Sequence, residues 1–177
     1  MNKKIKFKDV PFNIPSIFEK DFKKNFSKLR KNNKFSSVGY FSNKCEKWLK
    51  KNINAKAALL TNSCTSALEM CALLLNLKKD DEVIMPSFTF VSTANAFVLR
   101  GAKPVFVDIN NRDLNIDSNK IEKAITKKTK AIVVVHYAGI SCDIKKIKTI
   151  AKKNKIFLIE DAAHSILSYY QKKPLGS

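Results

Sequence analysis

The fold of this chain is decided by residues 131–161, AIVVVHYAGISCDIKKIKTIAKKNKIFLIED. The stretch begins and ends with short apolar runs, AIVVVHY and IFLIED, which are typical of strands buried on both faces of a sheet. Between them, CDIKKIKTIAKKN carries apolar residues at helical spacing. Two strands joined by a helix in this way predict a parallel βαβ unit.

The same alternation of short strands and helices extends upstream to residue 57. Further strands are predicted at 57–61 (AALLT), 82–86 (EVIMP) and 104–109 (PVFVDI). Helices are predicted at 63–76, 89–101 and 118–128. Five strands alternating with helices predict an α/β fold with a mostly parallel sheet and helices on both of its faces.

The residues before this alternation have a different pattern. Residues 1–15 contain Pro11 and Pro15 and are expected to form an extended arm. Residues 16–32 and 40–53 are predicted to be amphipathic helices, and we expect their aromatic side chains to lie in a core rather than on a binding surface. We therefore expect two parts, an arm with helices over residues 1–56 and an α/β domain over residues 57–177.

Composition narrows the function classes. The net charge of +19 comes from 34 Lys and Arg against 15 Asp and Glu, but only three of the basic residues are Arg. Because nucleic-acid readers rely on the bidentate Arg side chain, and no nucleic-acid motif is visible, we expect no nucleic-acid partner. The four cysteines form no C-x-x-C pair, so we expect no metal site. Without a membrane-length apolar run or a signal-peptide core, we expect a cytoplasmic protein that does not enter the membrane.

Ligands of parallel sheets bind at the carboxyl ends of the strands, so the residues that follow each strand are candidates for a site. The turn Asn62–Ser66 opens a helix whose free N–H groups suit an anion, although N-capping by Asn62 or Ser63 explains the turn equally well. Phe88 and Phe90 follow another strand and either cover a flat ligand or pack in the core. With four glycines in the chain, no Gly-rich nucleotide loop is present.

The strand FLIED places a carboxylate at its tip. Asp161 is suited either to hold a protonated ring nitrogen or to cap the next turn, while Glu160 points to the opposite face. The two histidines, His136 and His164, are expected to be hydrogen-bonded supporting groups rather than catalysts. A helix N-terminus for phosphate, an aromatic ring and a strand-tip Asp together describe a site for pyridoxal phosphate (PLP).

Three segments carry a resemblance to a known family: residues 62–109, VVVHYAGISCDI (133–144) and IEDAAHS (159–165). They resemble the DegT/DnrJ/EryC1/StrS family of PLP-dependent sugar aminotransferases, and most of all its branch of dTDP-4-amino-4,6-dideoxygalactose transaminases. The resemblance implies an aspartate-aminotransferase-like fold, PLP as cofactor and a homodimer with active sites at its interface.

The family's site residues carry over to five positions. By resemblance, Thr65 and Ser66 match the phosphate-binding turn, and Phe90 matches the aromatic residue stacked on the cofactor ring. Asp161 matches the partner of the pyridinium nitrogen, and His164 matches a position near the phenolic oxygen of the cofactor.

One family feature has no counterpart. The lysine that binds PLP covalently follows an SFH-like stretch after the LG turn, and none of the 31 lysines here matches it. We therefore expect a truncated fold, roughly the first half of an aminotransferase without the small C-terminal domain, that is inactive alone and leaves a strand edge and an apolar face uncovered.

The complete enzyme is expected to transfer an amino group from glutamate to a keto sugar nucleotide such as dTDP-4-dehydro-6-deoxy-D-glucose, for cell-surface polysaccharides. Two alternatives stay open. One is a non-catalytic product, or a half that needs a partner chain. The other is the dehydratase branch of the same fold, which has His in place of the lysine.

Overall fold

The computed structural model describes residues 14, 18–33, 35 and 39–177. The chain divides into two compact units, residues 1–42 and 43–177, and each is described by itself. The arm predicted for residues 1–15 lies outside the described residues, apart from residue 14. The expected division after residue 56 stays a prediction.

Two helices precede the α/β region. Helix α1 spans Glu19–Asn32 and α2 spans Tyr40–Asn52. Phe22 and Phe26 stack with ring centroids 6.0 Å apart on one face of α1, yet both rings are exposed, as is Trp48 on α2. The prediction that these aromatic residues form a core is therefore wrong. Helical spacing places side chains on one face but does not supply the surface that would bury them.

The α/β unit contains the predicted alternation from α3 onward. Its elements, in chain order, are α3 (Cys64–Leu74), β1 (Glu82–Pro86), α4 (Val91–Val98), β2 (Lys103–Val107), α5 (Ser118–Ala124), β3 (Thr129–Val135), α6 (Ile144–Asn154) and β4 (Phe157–Asp161). A 3₁₀ turn, Tyr137–Gly139, follows β3. A short antiparallel pair, β5 (Tyr169–Tyr170) and β6 (Lys173–Pro174), follows β4 and was not predicted.

The four longer strands form one parallel sheet in the order β2-β1-β3-β4. Successive residues of a strand face opposite sides, so the sheet has two cores. Val83, Met85 and Val133 pack with α3 and α4, whereas Ile84 and Ile132 pack with α5 and α6. The predicted α/β class, with helices on both faces of a parallel sheet, is confirmed.

The strand predicted at residues 57–61 is wrong. These residues form no ladder with any described strand, and Leu59 and Leu60 are exposed. The backbone N–H of Leu60 is instead held by the Glu46 carboxylate, 3.1 Å away. An apolar run gives a tendency to extend, but a strand also needs a neighbour whose backbone groups pair with its own.

Candidate cofactor-binding site

A cavity of about 400 Å³ lies at the carboxyl ends of the parallel strands. Four of the five predicted site residues line it, namely Thr65, Phe90, Asp161 and His164. Ser66 does not line the cavity. It lies one residue further into α3, with its hydroxyl 3.2 Å from that of Ser63.

Strand register and helix position bring these residues together. Asp161 is the last residue of β4 and pairs with Val135, the last residue of β3. The start of α3 reaches the same edge, because the Cys64 thiol lies 3.5 Å from the Asp161 carboxylate. Residues that are about 100 positions apart in sequence therefore surround one cavity, as the topology of a parallel sheet requires.

The N-terminus of α3 supplies backbone donors. The Ser63 hydroxyl accepts from the Ser66 N–H at 3.1 Å and so caps the helix, whereas Asn62 does not. The amides of Cys64 and Thr65 make no hydrogen bond with any described residue. The capping interpretation and the anion-seat interpretation are therefore compatible, since the cap uses one donor and leaves two at the end of the helix where the dipole is positive.

Asp161 is buried, with 7% of its surface exposed. One carboxylate oxygen, Oδ1, accepts from the Ala163 N–H at 3.1 Å and lies near Cys64. The other, Oδ2, lies 3.4 Å from the Thr93 hydroxyl. The carboxylate thus caps the next turn while it also borders the cavity, so neither interpretation of this residue excludes the other.

Four rings line the cavity together with Asp161, namely those of Phe88, Phe90, Tyr137 and His164. Tyr137 makes edge contacts with Phe88 (centroids 5.1 Å apart) and with His164 (5.8 Å). Phe88 and Phe90 are both exposed, and Phe90 is 73% exposed, so neither is a core residue of this chain. Tyr137 lies in the segment 136–139 after β3, where the strand-end rule predicts site residues, but no role was predicted for its ring.

The turn that carries Tyr137 is tightly constrained. Ala138 has φ 51° and Gly139 has φ 80°, both in the left-handed region. A Cβ atom at Gly139 would lie 3.1 Å from the Ser168 hydroxyl and 3.2 Å from the His164 carbonyl oxygen. The Tyr137 N–H donates to the side chain of the buried Asn115 at 3.0 Å, and the Ala138 N–H donates to His164 Nδ1 at 3.3 Å. The backbone that carries the Tyr137 ring is therefore held by Asn115 on one side and by His164 on the other.

The two histidines differ in environment. His136 is fully buried; its Nδ1 accepts from the Cys142 N–H at 3.2 Å, and its Nε2 lies 3.0 Å from the Glu160 carboxylate. Glu160 points away from the cavity, as the strand alternation predicted, and also contacts Lys148. Burial alone would raise the pKa of Glu160, but the bond from His136, the Lys148 charge and the Gly176 N–H together lower it. His136 is thus a supporting residue, whereas His164 is exposed at the cavity.

The environment of Cys64 favours its protonated thiol over the thiolate. Burial, followed by the charge and hydrogen bonding of Asp161, raises the pKa of Cys64 to about 11. The residue therefore stays protonated near neutral pH and donates toward Asp161.

The donor set of the cavity fits PLP. Free amides at a helix N-terminus suit its phosphate, exposed aromatic rings suit its flat ring, and a buried carboxylate suits its protonated nitrogen. No lysine is among the described residues that line the cavity. Within the described part of the chain, no group of three His, Cys, Asp or Glu residues is placed to hold a metal ion, and no helix is long and apolar enough to cross a bilayer.

Two curated relatives match almost the whole chain. The spore coat polysaccharide biosynthesis protein SpsC of Bacillus subtilis is 38% identical over 168 residues, which cover 95% of this chain and 43% of SpsC. The UDP-4-amino-4-deoxy-L-arabinose–oxoglutarate aminotransferase of Shewanella sediminis is 38% identical over 167 residues, or 94% of this chain and 42% of the relative. The chain therefore spans less than half the length of these relatives.

Solved structures agree with this relationship. One match is Spr1654 of Streptococcus pneumoniae, which is described as a sugar aminotransferase. Its PMP form matches with a TM-score of 0.88 and 30% identity, over 96% of this chain and 46% of Spr1654. A GDP-4-keto-6-deoxymannose-3-dehydratase matches with a TM-score of 0.87 and 26% identity, over 96% of this chain and 45% of the dehydratase. The chain has the large-domain fold of PLP-dependent sugar aminotransferases, of which it covers less than half.

A family model describes the chain from residue 16 to residue 177. The segments that carry the resemblance and the four cavity residues at the strand and helix ends all lie within that match. The chain belongs to the DegT/DnrJ/EryC1/StrS aminotransferase family.

Proposed function

We propose that this chain forms the cofactor-binding part of a PLP-dependent aminotransferase that acts on keto sugar nucleotides. The observation that carries the proposal is the cavity itself, where the free amides of α3, the exposed Phe90 ring and the buried Asp161 carboxylate meet. These three groups match the phosphate, ring face and ring nitrogen of one cofactor.

Each residue has a distinct task in this proposal. The Cys64 and Thr65 amides and the Thr65 hydroxyl donate to the cofactor phosphate from the cavity wall, and the Ser66 hydroxyl, which lies just outside that wall, completes the phosphate-binding turn. Phe90 covers one face of the ring, and His164 lies toward the phenolic oxygen. Asp161 accepts a hydrogen bond from the protonated ring nitrogen. When bound, PLP supplies an electron sink that permits an amino group to be exchanged between two substrates.

The substrate class follows from the relatives. One is named for an oxoglutarate-dependent exchange on an amino sugar nucleotide, and another for polysaccharide biosynthesis. We infer glutamate as the amino donor and a keto sugar nucleotide as the acceptor, with dTDP-4-dehydro-6-deoxy-D-glucose as the first substrate to test. We further propose a cytoplasmic homodimer that serves cell-surface polysaccharide synthesis.

Residues 1–177 by themselves are expected to be inactive. No lysine is among the described residues that line the cavity, so none of these residues can bind PLP covalently through an amine and move protons at the reacting carbon. Turnover by the isolated segment at about 1 per second, an ordinary enzymatic rate, would contradict this expectation.

A dehydratase is the second candidate, because a dehydratase shares the fold with a TM-score of 0.87. Its identity to this chain, 26%, is below the 38% of the named aminotransferase. We therefore favour amine transfer. A chain that binds a partner without catalysis is the third possibility.

The test uses the full-length gene product that contains this chain. It is incubated with PLP, ¹⁵N-glutamate and a panel of dTDP-, UDP- and GDP-linked keto sugars, and the products are analysed by mass spectrometry. A ¹⁵N-labelled amino sugar nucleotide is expected. Loss of a sugar hydroxyl without incorporation of nitrogen would identify a dehydratase instead, and no reaction with any sugar would support a non-catalytic role.

Asp161→Asn is the matched variant for this test. Asn retains an oxygen to cap the turn at Ala163 but loses the charge that holds the ring nitrogen. A charged hydrogen bond of this kind contributes about 1.5–3 kcal/mol. Amine transfer should slow by about tenfold to a hundredfold at 1.4 kcal/mol per decade, while the protein still folds and binds PLP. Equal rates of amine transfer in Asp161→Asn and the wild type would show that Asp161 takes no part in the reaction.

A further inference from the structure

The carboxylate of Asp161 is held by donors from three separate parts of the chain. Oδ1 accepts from the Ala163 N–H at 3.1 Å and lies 3.5 Å from the Cys64 thiol. Oδ2 lies 3.4 Å from the Thr93 hydroxyl. Contacts on both oxygens fix the rotation of the carboxylate as well as its position, and that rotation decides which lone pairs remain for a ligand.

Thr93 is an unusual donor. It lies in α4 with 1% of its surface exposed, and its hydroxyl oxygen accepts from the Thr89 hydroxyl at 2.9 Å. Because that bond supplies a hydrogen to Thr93, the hydrogen of Thr93 itself is available to Asp161. A chain of hydroxyl groups thus runs from the cavity wall at Thr89 to the buried carboxylate, and each bond polarises the next.

The usual bond of a threonine in a helix is absent at this position. Such a hydroxyl commonly bonds back to the carbonyl four residues earlier, as Thr149 does with Lys145 at 3.0 Å. Thr93 turns its hydroxyl toward Asp161, 68 residues away in sequence. Thr93 is the third residue of α4, so its hydroxyl lies in the first turn, where it contacts the side chains of Thr89 and Asp161.

We propose that Thr93, supported by Thr89 and Cys64, is a positioning residue that aims the Asp161 carboxylate at the ring nitrogen of a pyridoxal phosphate cofactor. The inference rests on the proposed function for the identity of the ligand. Thr93 acts through Asp161, so its contribution exists only for a ligand with a protonated ring nitrogen. A residue that merely supports the fold would affect every ligand of the cavity alike.

The experiment measures cofactor binding and not turnover. The full-length gene product is stripped of cofactor and titrated with two probes, PLP and an analogue in which a ring C–H replaces the nitrogen. Thr93→Val, which keeps the shape and removes the hydroxyl, should raise the Kd for PLP about fivefold, or about 1 kcal/mol. The Kd for the analogue should stay unchanged.

Thr129→Val is the matched control. Thr129 is also buried, but it is the first residue of β3 and therefore lies at the amino end of the strand, away from the cavity. There its hydroxyl accepts from the Thr126 N–H. Its replacement removes a buried hydroxyl without touching Asp161, so both Kd values should match the wild type. In an Asp161→Ala background, Thr93→Val should no longer change the Kd for PLP, since the group through which it acts is gone.

The outcomes separate the inference from the function on which it rests. If the wild type prefers PLP over the analogue and Thr93→Val keeps that preference, the inference is overturned and the proposed function stands. Equal weakening of both probes by Thr93→Val would also overturn it, because that is the result of a structural role. If the wild type binds neither probe, both the inference and the proposed function are overturned. Should Thr93→Val fail to fold, Thr89→Val at the cavity wall is expected to weaken PLP alone by about twofold, and Thr93→Ser should behave as wild type.

Discussion

Replacement of His136 by Phe tests the hydrogen-bonded support behind the cavity. His136 is fully buried, and its two ring nitrogens serve two different groups. Nδ1 accepts from the Cys142 N–H, so the ring proton lies on Nε2 and is donated to Glu160. Phe fills a similar volume but satisfies neither group. The backbone bonds of residue 136, to Asp161 and Ser165, do not depend on the side chain and are retained.

The magnitude follows from the two bonds that are lost. A buried N–H without a partner costs about 1–3 kcal/mol, and the bond to the charged Glu160 contributes about 1.5–3 kcal/mol. Glu160 keeps Lys148 at 3.3 Å and the Gly176 N–H at 3.1 Å, so its charge is not left alone. The free energy of unfolding should therefore fall by about 3–5 kcal/mol, which is a large share of the stability of a typical domain.

Urea unfolding of the full-length gene product, followed by circular dichroism, measures this change. The control is His164→Phe, which loses a single bond from the Ala138 N–H at an exposed position and should cost less than about 1 kcal/mol. The result that would refute the reasoning is a His136→Phe protein destabilised by less than about 1 kcal/mol, or by no more than the control. The Cys142 N–H and Glu160 would then have found other partners.

Three further predictions use the same geometry. The fold lowers the pKa of Glu160 from its ordinary value of 4.5, so the stability contributed by the ionised Glu160 is present above that pH and is lost as the pH falls below it. Glu160→Gln should therefore flatten the dependence of the unfolding free energy on pH near pH 4, as measured by urea titrations. Cys45 and Cys64 are both exposed, but the raised pKa of Cys64 should make iodoacetamide modify it roughly tenfold more slowly than Cys45 at pH 8, and the Cys64 rate should keep rising up to about pH 11, as measured by peptide mass spectrometry. Residues 1–177 expressed alone should aggregate in light-scattering measurements, and Leu73→Lys with Leu74→Lys should reduce the aggregation, because both leucines are exposed on α3.

The parallel sheet was predictable because its strands are buried on both faces. Runs such as AIVV (131–134) are apolar at every position when each face of the sheet needs an apolar residue, and these four residues are indeed all buried. The same reasoning failed at residues 57–61, where an equally apolar run has no neighbouring strand among the described residues. Local sequence reports that a segment is fit for a sheet, whereas pairing depends on what lies beside it in space.

The candidate site was predictable to the extent that it lies at strand and helix ends. Asp161 and Thr65 follow from the rule that ligands bind where parallel strands end, and both line the cavity. Thr93 does not follow from that rule, and for Tyr137 the rule gives a position after β3 but no contacts. The Thr93 hydroxyl contributes to the site only through its contact with Asp161, which lies 68 residues later in the sequence. Tyr137 contributes through ring contacts with Phe88 and His164, which belong to two other segments. Contacts of that range are set by packing and have no period in the sequence.

Helix α3 links the cavity to the apolar surface of the chain. Its inner side, with Leu68 and Ala72, packs on the sheet, while Leu73 and Leu74 lie on its outer side, where Leu74 is 79% exposed. A helix that is apolar on both sides is stable only when both sides are covered. The same helix presents the amides of Cys64 and Thr65 to the cavity. A surface that buries Leu73 and Leu74 would therefore contact the same helix that carries the proposed phosphate donors.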